Sequence, residues 1–190
     1  MNQSDQESII GESNPESVKE EGMALFKQGA RDEALVQFQK AAEGFGEQED
    51  YLNQAEMFNN IGVIHRINRQ WQPAEDALLQ AEASFAELGN DVKRAQVLGN
   101  LGDLNARRKE FERAEKYYSA SSELFSSTGA HDMQADVLKA LCILQIKRRH
   151  WWEAVDSLDK SLKVRPKPSA LQRLLSWFLR FALKVLSGGR

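Results

Sequence analysis

The chain has 190 residues, close to one domain on a prior of roughly 150 residues per domain, and 42% of them are hydrophobic, 28% charged and 8% aromatic. This composition is typical of a soluble globular protein and excludes collagen, a fully disordered chain and a polytopic membrane protein. One cysteine excludes a disulfide framework and a multi-thiolate metal site, and three histidines far apart in sequence argue against a catalytic or zinc centre, so we expect no cofactor, no metal and no enzyme activity.

Charge is distributed unevenly along the chain. Lys and Arg number 25 against 28 Asp and Glu, a formal net charge of −3, yet from Arg165 to Arg190 there are six basic residues and no acidic one. An acidic body with a basic C-terminal segment indicates two parts with different surroundings. A nucleic-acid-binding protein would carry its basic surface on the main fold, so we expect no nucleic acid partner.

The N-terminal region is predicted to be a tail followed by a capped helix. The first 30 residues contain neither a basic leader nor an apolar run, which predicts no secretory signal and a cytoplasmic location. Residues 1–13 are polar, acidic and without period, so we predict that they are disordered. Asn14 and Pro15 then predict the start of the first helix, with proline at its first position.

From residue 15 onward the sequence repeats with a period of 40 residues. Its three main columns are a small residue, an alanine twelve positions later and a large apolar residue four further on: Gly22, Gly62, Gly102 and Cys142; Ala34, Ala74, Ala114 and Ala154; Phe38, Leu78, Tyr118 and Leu158. Two more columns are a second small residue and an aromatic residue: Ala41, Ala81, Ser121 and Ser161; Trp71, Phe111 and Trp151. Five columns in phase predict four copies of one structural unit.

Each copy is predicted to be a helical hairpin. In the third copy, four residues follow the i, i+3, i+4, i+7 spacing of one helical face: Leu98, Leu101, Gly102 and Asn105. A turn centred on residues 69–70 or 109–110 leads to a second helix that carries the alanine and aromatic columns. Since glycine in mid-helix costs about 1 kcal/mol relative to alanine, we expect the small residues to permit close approach of the partner helix at the alanine column.

The ends of the helices are predicted from glycine and aspartate. Gly89 and Gly129 lie 40 residues apart where the second helix should end, and glycine suits the left-handed position there. Asp91 and Asp132 are predicted to be the N-caps of the helices that follow.

These columns resemble the tetratricopeptide repeat, which has a small residue at its eighth position, alanine near the twentieth and an aromatic residue near the twenty-fourth. Pro166 stands where that family often places its terminal proline. The 40-residue unit is longer than the usual period of roughly 34, and it is similar to the longer-helix subgroup of kinesin light chains and spindle-orientation scaffolds. The resemblance implies an all-α, right-handed α-solenoid of four TPR-like hairpins plus a C-terminal amphipathic helix.

The domain organisation follows from the repeat. The predicted segments are a disordered tail at 1–13, repeats over 14–168 (about 15–54, 55–94, 95–134 and 135–168), an amphipathic helix at 169–187 and a flexible end at 188–190.

The resemblance implies a concave groove lined by the first helix of each hairpin. The residues expected to bind a partner there are Lys19, Lys27, Asn59, Asn60, Val63, Ile67, Asn100, Asp103, Arg107, Lys139, Ile143 and Lys147. Asn60 and Asn100 offer amides that pair with the backbone of an extended ligand, as asparagines at this position do in similar long-helix proteins. The alternative is that both asparagines are solvated polar residues of an exposed helix face.

The expected function is a non-enzymatic protein-protein interaction module, an adaptor or scaffold that binds a protein or peptide segment of acidic or apolar character. His65 is expected to be an interfacial packing residue rather than a catalyst, and Cys142 a small packing residue rather than a nucleophile. The basic run 147–149 is expected to be a solvated turn.

The C-terminal segment suggests a competing function. Residues predicted to face a membrane or to cap the repeats are Arg173, Leu174, Leu175, Trp177, Phe178, Arg180, Phe181 and Lys184. Residues 171–187 are too few to cross a bilayer, which needs about 20 apolar residues, but their cations and Trp177 suit an interfacial helix. Capping, peripheral attachment at the inner face of a membrane, and homo-oligomer or partner contact all remain open. The competing function is therefore a peripheral membrane-associated assembly factor tethered by this helix.

Overall fold

The computed structural model describes residues 14–164 together with 174 and 177, and residues 14–164 form eight α-helices. They are α1 Pro15–Gln28, α2 Arg31–Glu47, α3 Tyr51–Ile67, α4 Trp71–Glu87, α5 Asp91–Arg107, α6 Phe111–Ser127, α7 His131–Lys147 and α8 Trp151–Val164. Successive first helices, from α3 onward, and successive second helices begin 40 residues apart. The predicted all-α fold of consecutive helical hairpins is confirmed. The predicted tails at 1–13 and 188–190 lie outside the described residues.

The chain divides into two compact units, Met1–Ser84 and Phe85–Arg190. In the first unit α1 packs on α2 and α2 on α3, around a core that includes Phe38, Phe45 and Met57. In the second unit α5 packs on α6, α6 on α7 and α7 on α8, and one of its core clusters contains Tyr118 and Leu141. Both cores are therefore built by side chains of the predicted repeat columns together with residues of the next hairpin.

The close helix crossing is confirmed, but its nearest contact differs from the one predicted. A Cβ added to Gly62 would lie 2.6 Å from Cγ of Leu78 and 3.2 Å from the backbone oxygen of Ala74. On Gly102 it would lie 2.6 Å from the ring of Tyr118. The large residue of the third column thus lies directly on the glycine, and the alanine column makes a further contact at Gly62.

The second small-residue column makes a polar contact in the second unit. The Ser121 hydroxyl donates to the backbone oxygen of Ala95 at 2.7 Å, and the Ser161 hydroxyl donates to that of Ala135 at 2.8 Å. Both serines are buried, so the hydrogen bond satisfies a hydroxyl that would otherwise be costly to bury. The pair of contacts, 40 residues apart, ties each second helix to the first helix of its own hairpin.

The turns repeat with the same period as the helices. Positive φ angles occur within hairpins at Gly29, Arg69, Lys109 and Arg149, and between hairpins at Glu49, Gly89 and Gly129. The prediction that Gly89 and Gly129 end their helices in the left-handed conformation is confirmed. Non-glycine residues in this conformation cost about 1–2 kcal/mol each, so three hairpin turns hold a basic side chain where glycine would be less strained.

The first helices α1, α3 and α5 are each capped by the side chain of the residue that precedes them. Asn14 accepts a hydrogen bond from the backbone N–H of Glu16, and Pro15 follows it, as predicted. The carboxylate of Asp50 accepts from the backbone N–H of Asn53 at 3.1 Å and from its side-chain amide at 2.8 Å. These hydrogen bonds, led by the one from the Asn53 amide, lower the pKa of Asp50.

The predicted caps at Asp91 and Asp132 are wrong. The N-cap of α5 is Asn90, whose side chain accepts from the backbone N–H of Lys93 at 3.2 Å, and the N-cap of α7 is Ala130, which has no capping side chain. Only one residue separates each left-handed glycine from the next helix, so the cap falls earlier than the predicted aspartates.

We predict opposite effects for two mid-helix glycines. Gly62→Ala should lower the free energy of unfolding by about 1–2 kcal/mol, because overpacking against Leu78 outweighs the gain in helix propensity. Gly99→Ala should raise it by about 0.5–1 kcal/mol, since its Cβ would make only ordinary contacts, at 3.5 Å from Ser121 and 3.7 Å from Val137. Thermal and urea unfolding measure both, and equal effects would contradict the close-crossing account.

We also predict that the missing cap of α7 can be supplied. Ala130→Asn, which copies Asn90, should stabilise the second unit by about 1 kcal/mol because it satisfies an orphan N–H of the first turn. Asn90→Ala is the reciprocal variant and should destabilise by a similar amount. Hydrogen exchange at the start of α7 and of α5 reports each change locally, and an unaltered α7 would count against the prediction.

Candidate partner-binding site

The residues predicted to line the groove lie on the first helix of each hairpin and belong to both units. The first unit holds Lys19, Lys27, Asn59, Asn60, Val63 and Ile67, and the second holds Asn100, Asp103, Arg107, Lys139, Ile143 and Lys147. All twelve are half-buried or exposed. Each is therefore accessible, at least in part, for contact with a ligand.

Four of the second unit's residues meet at one cavity of about 540 Å³ between α5, α6 and α7. They are Asp103, Arg107, Ile143 and Lys147. The other lining residues are Ala106, Lys109, Phe111, Tyr118, Ala140 and Leu144. The walls are thus mostly apolar, and three cations stand around them. We refer to this space as the α5–α7 cavity.

The charges around the α5–α7 cavity favour an anion. Among residues 14–164, no acidic side chain pairs with Arg107, Lys109 or Lys147. Asp103 is the one acid on the wall, and its carboxylate accepts a hydrogen bond from the Tyr118 hydroxyl at 2.6 Å. This bond fixes Asp103 against the apolar wall, so the three cations remain to attract negative charge.

Nearby acids are occupied by other cations. Glu110 pairs with Arg108 at 2.7 Å and with Arg113 at 2.9 Å. Glu115 and Glu112 both pair with Arg148, at 2.5 and 2.6 Å. Glu110 therefore holds the turn before α6, and Glu112 and Glu115 of α6 hold Arg148 at the end of α7.

The first unit has a much smaller cavity at the equivalent place in the repeat, about 60 Å³. Its lining residues are Met23, Phe26, Phe38, Asn60 and Val63, and 80 positions further along stand Asp103, Ala106, Tyr118, Ala140 and Ile143, all on the wall of the α5–α7 cavity. Ala106 has a methyl group where Phe26 has a ring, so less of the space between the helices is filled in the second unit. The larger cavity volume therefore follows from side-chain size at equivalent positions of the repeat.

Sequence reasoning missed the residues that shape the α5–α7 cavity. Ala106 and Phe111 are on the wall, and Lys109 reaches it from the turn between α5 and α6. The repeat itself indicates the cavity, because Ala106 is small at the position where the first copy has the large residue Phe26.

Some predicted residues are engaged within the protein. Lys19 donates to the Asn53 side chain at 2.9 Å, pairs with Glu16 at 2.9 Å and lies 5.7 Å from the centre of the Phe45 ring. Lys19 therefore connects α1 with α2 and α3. Lys139 pairs with Asp136 on its own helix at 2.8 Å. These contacts make both lysines poorer ligand groups than the three cations at the α5–α7 cavity.

Asn60 occupies the small cavity of the first unit. Its amide nitrogen lies 3.9 Å from the sulfur of Met23 on the preceding first helix. A sulfur atom is a weak acceptor, so the amide can exchange this contact for a stronger one. Asn100, in the second unit, is likewise half-buried.

His65 and Cys142 have the surroundings of packing residues. Nδ1 of His65 lies 2.5 Å from Oε1 of Gln70, so its ring is tied to the turn after α3. Cys142 is buried, and burial raises the pKa of its thiol. A raised pKa keeps the thiol protonated at neutral pH and therefore weakly nucleophilic. In the described ranges, no group of three or more His, Cys, Asp or Glu residues is arranged to hold a metal ion.

Most of the predicted C-terminal helix lies outside the described residues, including Arg173, Leu175, Phe178, Arg180, Phe181 and Lys184. Leu174 and Trp177 are described, and both have helical backbone with side chains that are 61% and 59% exposed. Among the helices that the structure describes, none has the length and apolar character needed to cross a bilayer.

Comparison with known proteins identifies the repeat. Residues 93–167 match the tetratricopeptide repeat family. BtubC (BKLC) from P. vanneervenii superposes with a TM-score of 0.71 at 19% identity, over 92% of this chain and 73% of that one. A putative kinesin light chain with nearly identical TPR-like repeats from Podosopora anserina gives 0.69 at 15% identity, over 95% and 90%. No curated protein has significant sequence similarity to the chain.

The chain therefore has the fold of tetratricopeptide-repeat proteins, and residues 93–167 also match that family in sequence. Its fold is shared with structures of kinesin light chains, as the 40-residue period predicts, and this likeness at 15–19% identity concerns the fold alone. Repeats of this family generally serve as protein-interaction modules without catalysis.

Proposed function

We propose that the protein is a non-enzymatic adaptor that binds an extended partner segment along the first helices of its hairpins and anchors one partner side chain in the α5–α7 cavity. The cavity carries the proposal because it combines apolar walls with three cations that have no acidic partner among residues 14–164. Its volume of about 540 Å³ lies within the range of roughly 300–1,000 Å³ that is typical of ligand sites.

The walls of the cavity indicate which side chain it takes. Ala106, Phe111 and Leu144 offer apolar surface, and burying a large apolar side chain contributes about 1.5–3 kcal/mol. Carboxylates next to that side chain in the partner would pair with Arg107, Lys109 and Lys147 at the rim. Charge-assisted hydrogen bonds of this kind set orientation and specificity more than affinity. We therefore expect a partner segment with a bulky apolar residue flanked by Asp or Glu.

The asparagines extend the proposed contact along the chain. An amide group donates to a peptide carbonyl and accepts from a peptide N–H, so Asn60 and Asn100 suit the backbone of an extended segment. Their partial exposure and the weak sulfur contact of Asn60 support this role.

One prediction tests the role of the α5–α7 cavity in binding. Ala106→Phe, which copies Phe26, should fill the cavity and weaken binding of peptides selected on the full chain at least tenfold, because about 1.5–3 kcal/mol of apolar burial is lost. Isothermal titration calorimetry with the selected peptides measures this, and circular dichroism should show an intact fold. Ala24→Phe adds the same ring to an exposed site on α1 and should leave affinity unchanged. If Ala106→Phe and the parent protein bound the peptides with equal affinity, the cavity would not be part of the binding site.

The second prediction concerns the amides. Changing Asn60 and Asn100 to aspartate should abolish capture of the same peptides, since a carboxylate cannot donate to a peptide carbonyl and repels acidic segments. Gln39→Glu makes the same change of group on the exposed face of α2 and serves as the control. If the double variant still captures the peptides while Ala106→Phe does not, the backbone contacts are excluded and the cavity is retained.

Peripheral membrane association through residues 171–187 is the second candidate function. The observation that favours it is the exposure of the Leu174 and Trp177 side chains. Exposed apolar side chains can enter the interfacial layer of a bilayer when cations lie beside them.

A further inference from the structure

The turn between α7 and α8 places cations beside exposed aromatic side chains. Its sequence from 147 to 152 is Lys-Arg-Arg-His-Trp-Trp. Trp151 is 58% exposed and Trp152 is 49% exposed. Lys147 and Arg149 are exposed as well. Large exposed aromatic residues next to each other are uncommon on a surface that contacts only water.

Trp152 departs from its counterparts in the other hairpins. The equivalent residues are Asp32, Gln72 and Glu112, all polar and exposed. Two of them bind the end of the next first helix: Asp32 accepts from the Asn68 amide at 3.3 Å, and Glu112 pairs with Arg148 at 2.6 Å. An indole at this position cannot repeat that contact, so its presence in the fourth hairpin has no explanation in the packing that the other copies share.

Trp151 differs from its counterparts in exposure. The equivalent residues Trp71 and Phe111 are half-buried, and Phe111 packs against the core of the second unit. Trp151 has the same column position but keeps most of its surface accessible. Neither Trp151 nor Trp152 lines the α5–α7 cavity, so the two indoles form a surface separate from the apolar wall of the proposed peptide site.

Four cations accompany the two indoles and have no acidic partner among the described residues. They are Lys147 and Arg149 at this turn, and Arg107 and Lys109 at the preceding hairpin turn. Arg107, Lys109 and Lys147 surround the same cavity, so the two turns of the second unit share one positive region. Arg148, in contrast, is held by Glu112 and Glu115 and contributes little outward charge.

Folding does not require an arginine at residue 149. Arg149 has a φ of 63°, in the left-handed region where the first hairpin has Gly29, and Arg69 and Lys109 share this conformation. Since glycine would be less strained there, the backbone does not explain the cation.

We propose that Arg149, Trp151 and Trp152, with Lys147 at the same turn, dock the second unit on an anionic lipid bilayer. The indole ring has an apolar body and a polar N–H and prefers the boundary between headgroups and acyl chains. Each Lys or Arg close to an anionic membrane strengthens binding about fivefold. An acidic peptide would pair with the cations but would leave both indoles in water. A bilayer would pair with the cations and also bury the indoles, so it explains both features of the surface.

The test is co-flotation of the full chain with vesicles of phosphatidylcholine and phosphatidylserine, compared with phosphatidylcholine alone. Trp152→Gln combined with Arg149→Gly removes one indole and one cation, and each new residue already occupies that position in another hairpin, as Gln72 and Gly29. The parent protein should float with the anionic vesicles only. The double variant should bind at least tenfold more weakly, since one cation alone accounts for about fivefold.

Two control variants separate the turn from other sources of binding. Arg69→Gly makes the same change at the equivalent turn of the first unit, where φ is 60°, and should float like the parent. Leu174→Ser with Trp177→Ser tests the C-terminal segment. The proposal is overturned if the parent does not float with anionic vesicles, or if the turn variant floats as well as the parent. Binding to polyglutamate without binding to vesicles would overturn it too and would assign the cations to an acidic segment.

Discussion

The structure depends on a helix crossing at which one residue has almost no side chain. Gly62 and Gly102 lie so close to the Leu78 side chain and the Tyr118 ring that a single methyl group would overlap with them. A mid-helix glycine weakens the helix itself by about 1 kcal/mol, and the contact offsets this loss by burying the large side chain fully against backbone. The same crossing occurs at Gly22 against Phe38, so the first three hairpins share this contact at intervals of 40 residues.

The α5–α7 cavity illustrates how such a frame acquires a site. The opening is about 60 Å³ beside Phe26 in the first unit and about 540 Å³ beside Ala106 in the second. Two wall side chains are smaller in the second unit, since Ala106 replaces Phe26 and Ala140 replaces Asn60. In a repeat protein each residue can be compared with the residues at the same position of the other copies. A residue that differs in type from these counterparts without improving the packing is a candidate for function. Trp152 meets that criterion as well as Ala106.

Charge pairing inside the second unit decides which cations face outward. Glu112 and Glu115 hold Arg148, and Glu110 holds Arg108 and Arg113. Glu112 and Glu115 of α6 therefore join the third hairpin to the fourth. The chain, although acidic as a whole, has a positive region at the hairpin turns of the second unit. The net charge of the chain did not indicate this positive region. Attraction of a charged ligand over short distances depends on which nearby charges are already paired, rather than on the total charge of the protein.

The sequence by itself determined the helical hairpins, their 40-residue period, the cap at Asn14 and the left-handed turns at Gly89 and Gly129. These features depend on local conformational preference and on contacts that recur often enough to appear as columns. Only the tertiary structure decided that Leu78 rather than Ala74 lies on Gly62, that Asn90 and Ala130 rather than Asp91 and Asp132 precede the first helices, and that Ala106 opens a cavity with Arg107, Lys109 and Lys147 at its rim. Each of these features depends on side chains from different helices or on a turn one residue long. The spacing of residues along the chain does not specify the distances between side chains that meet from different helices.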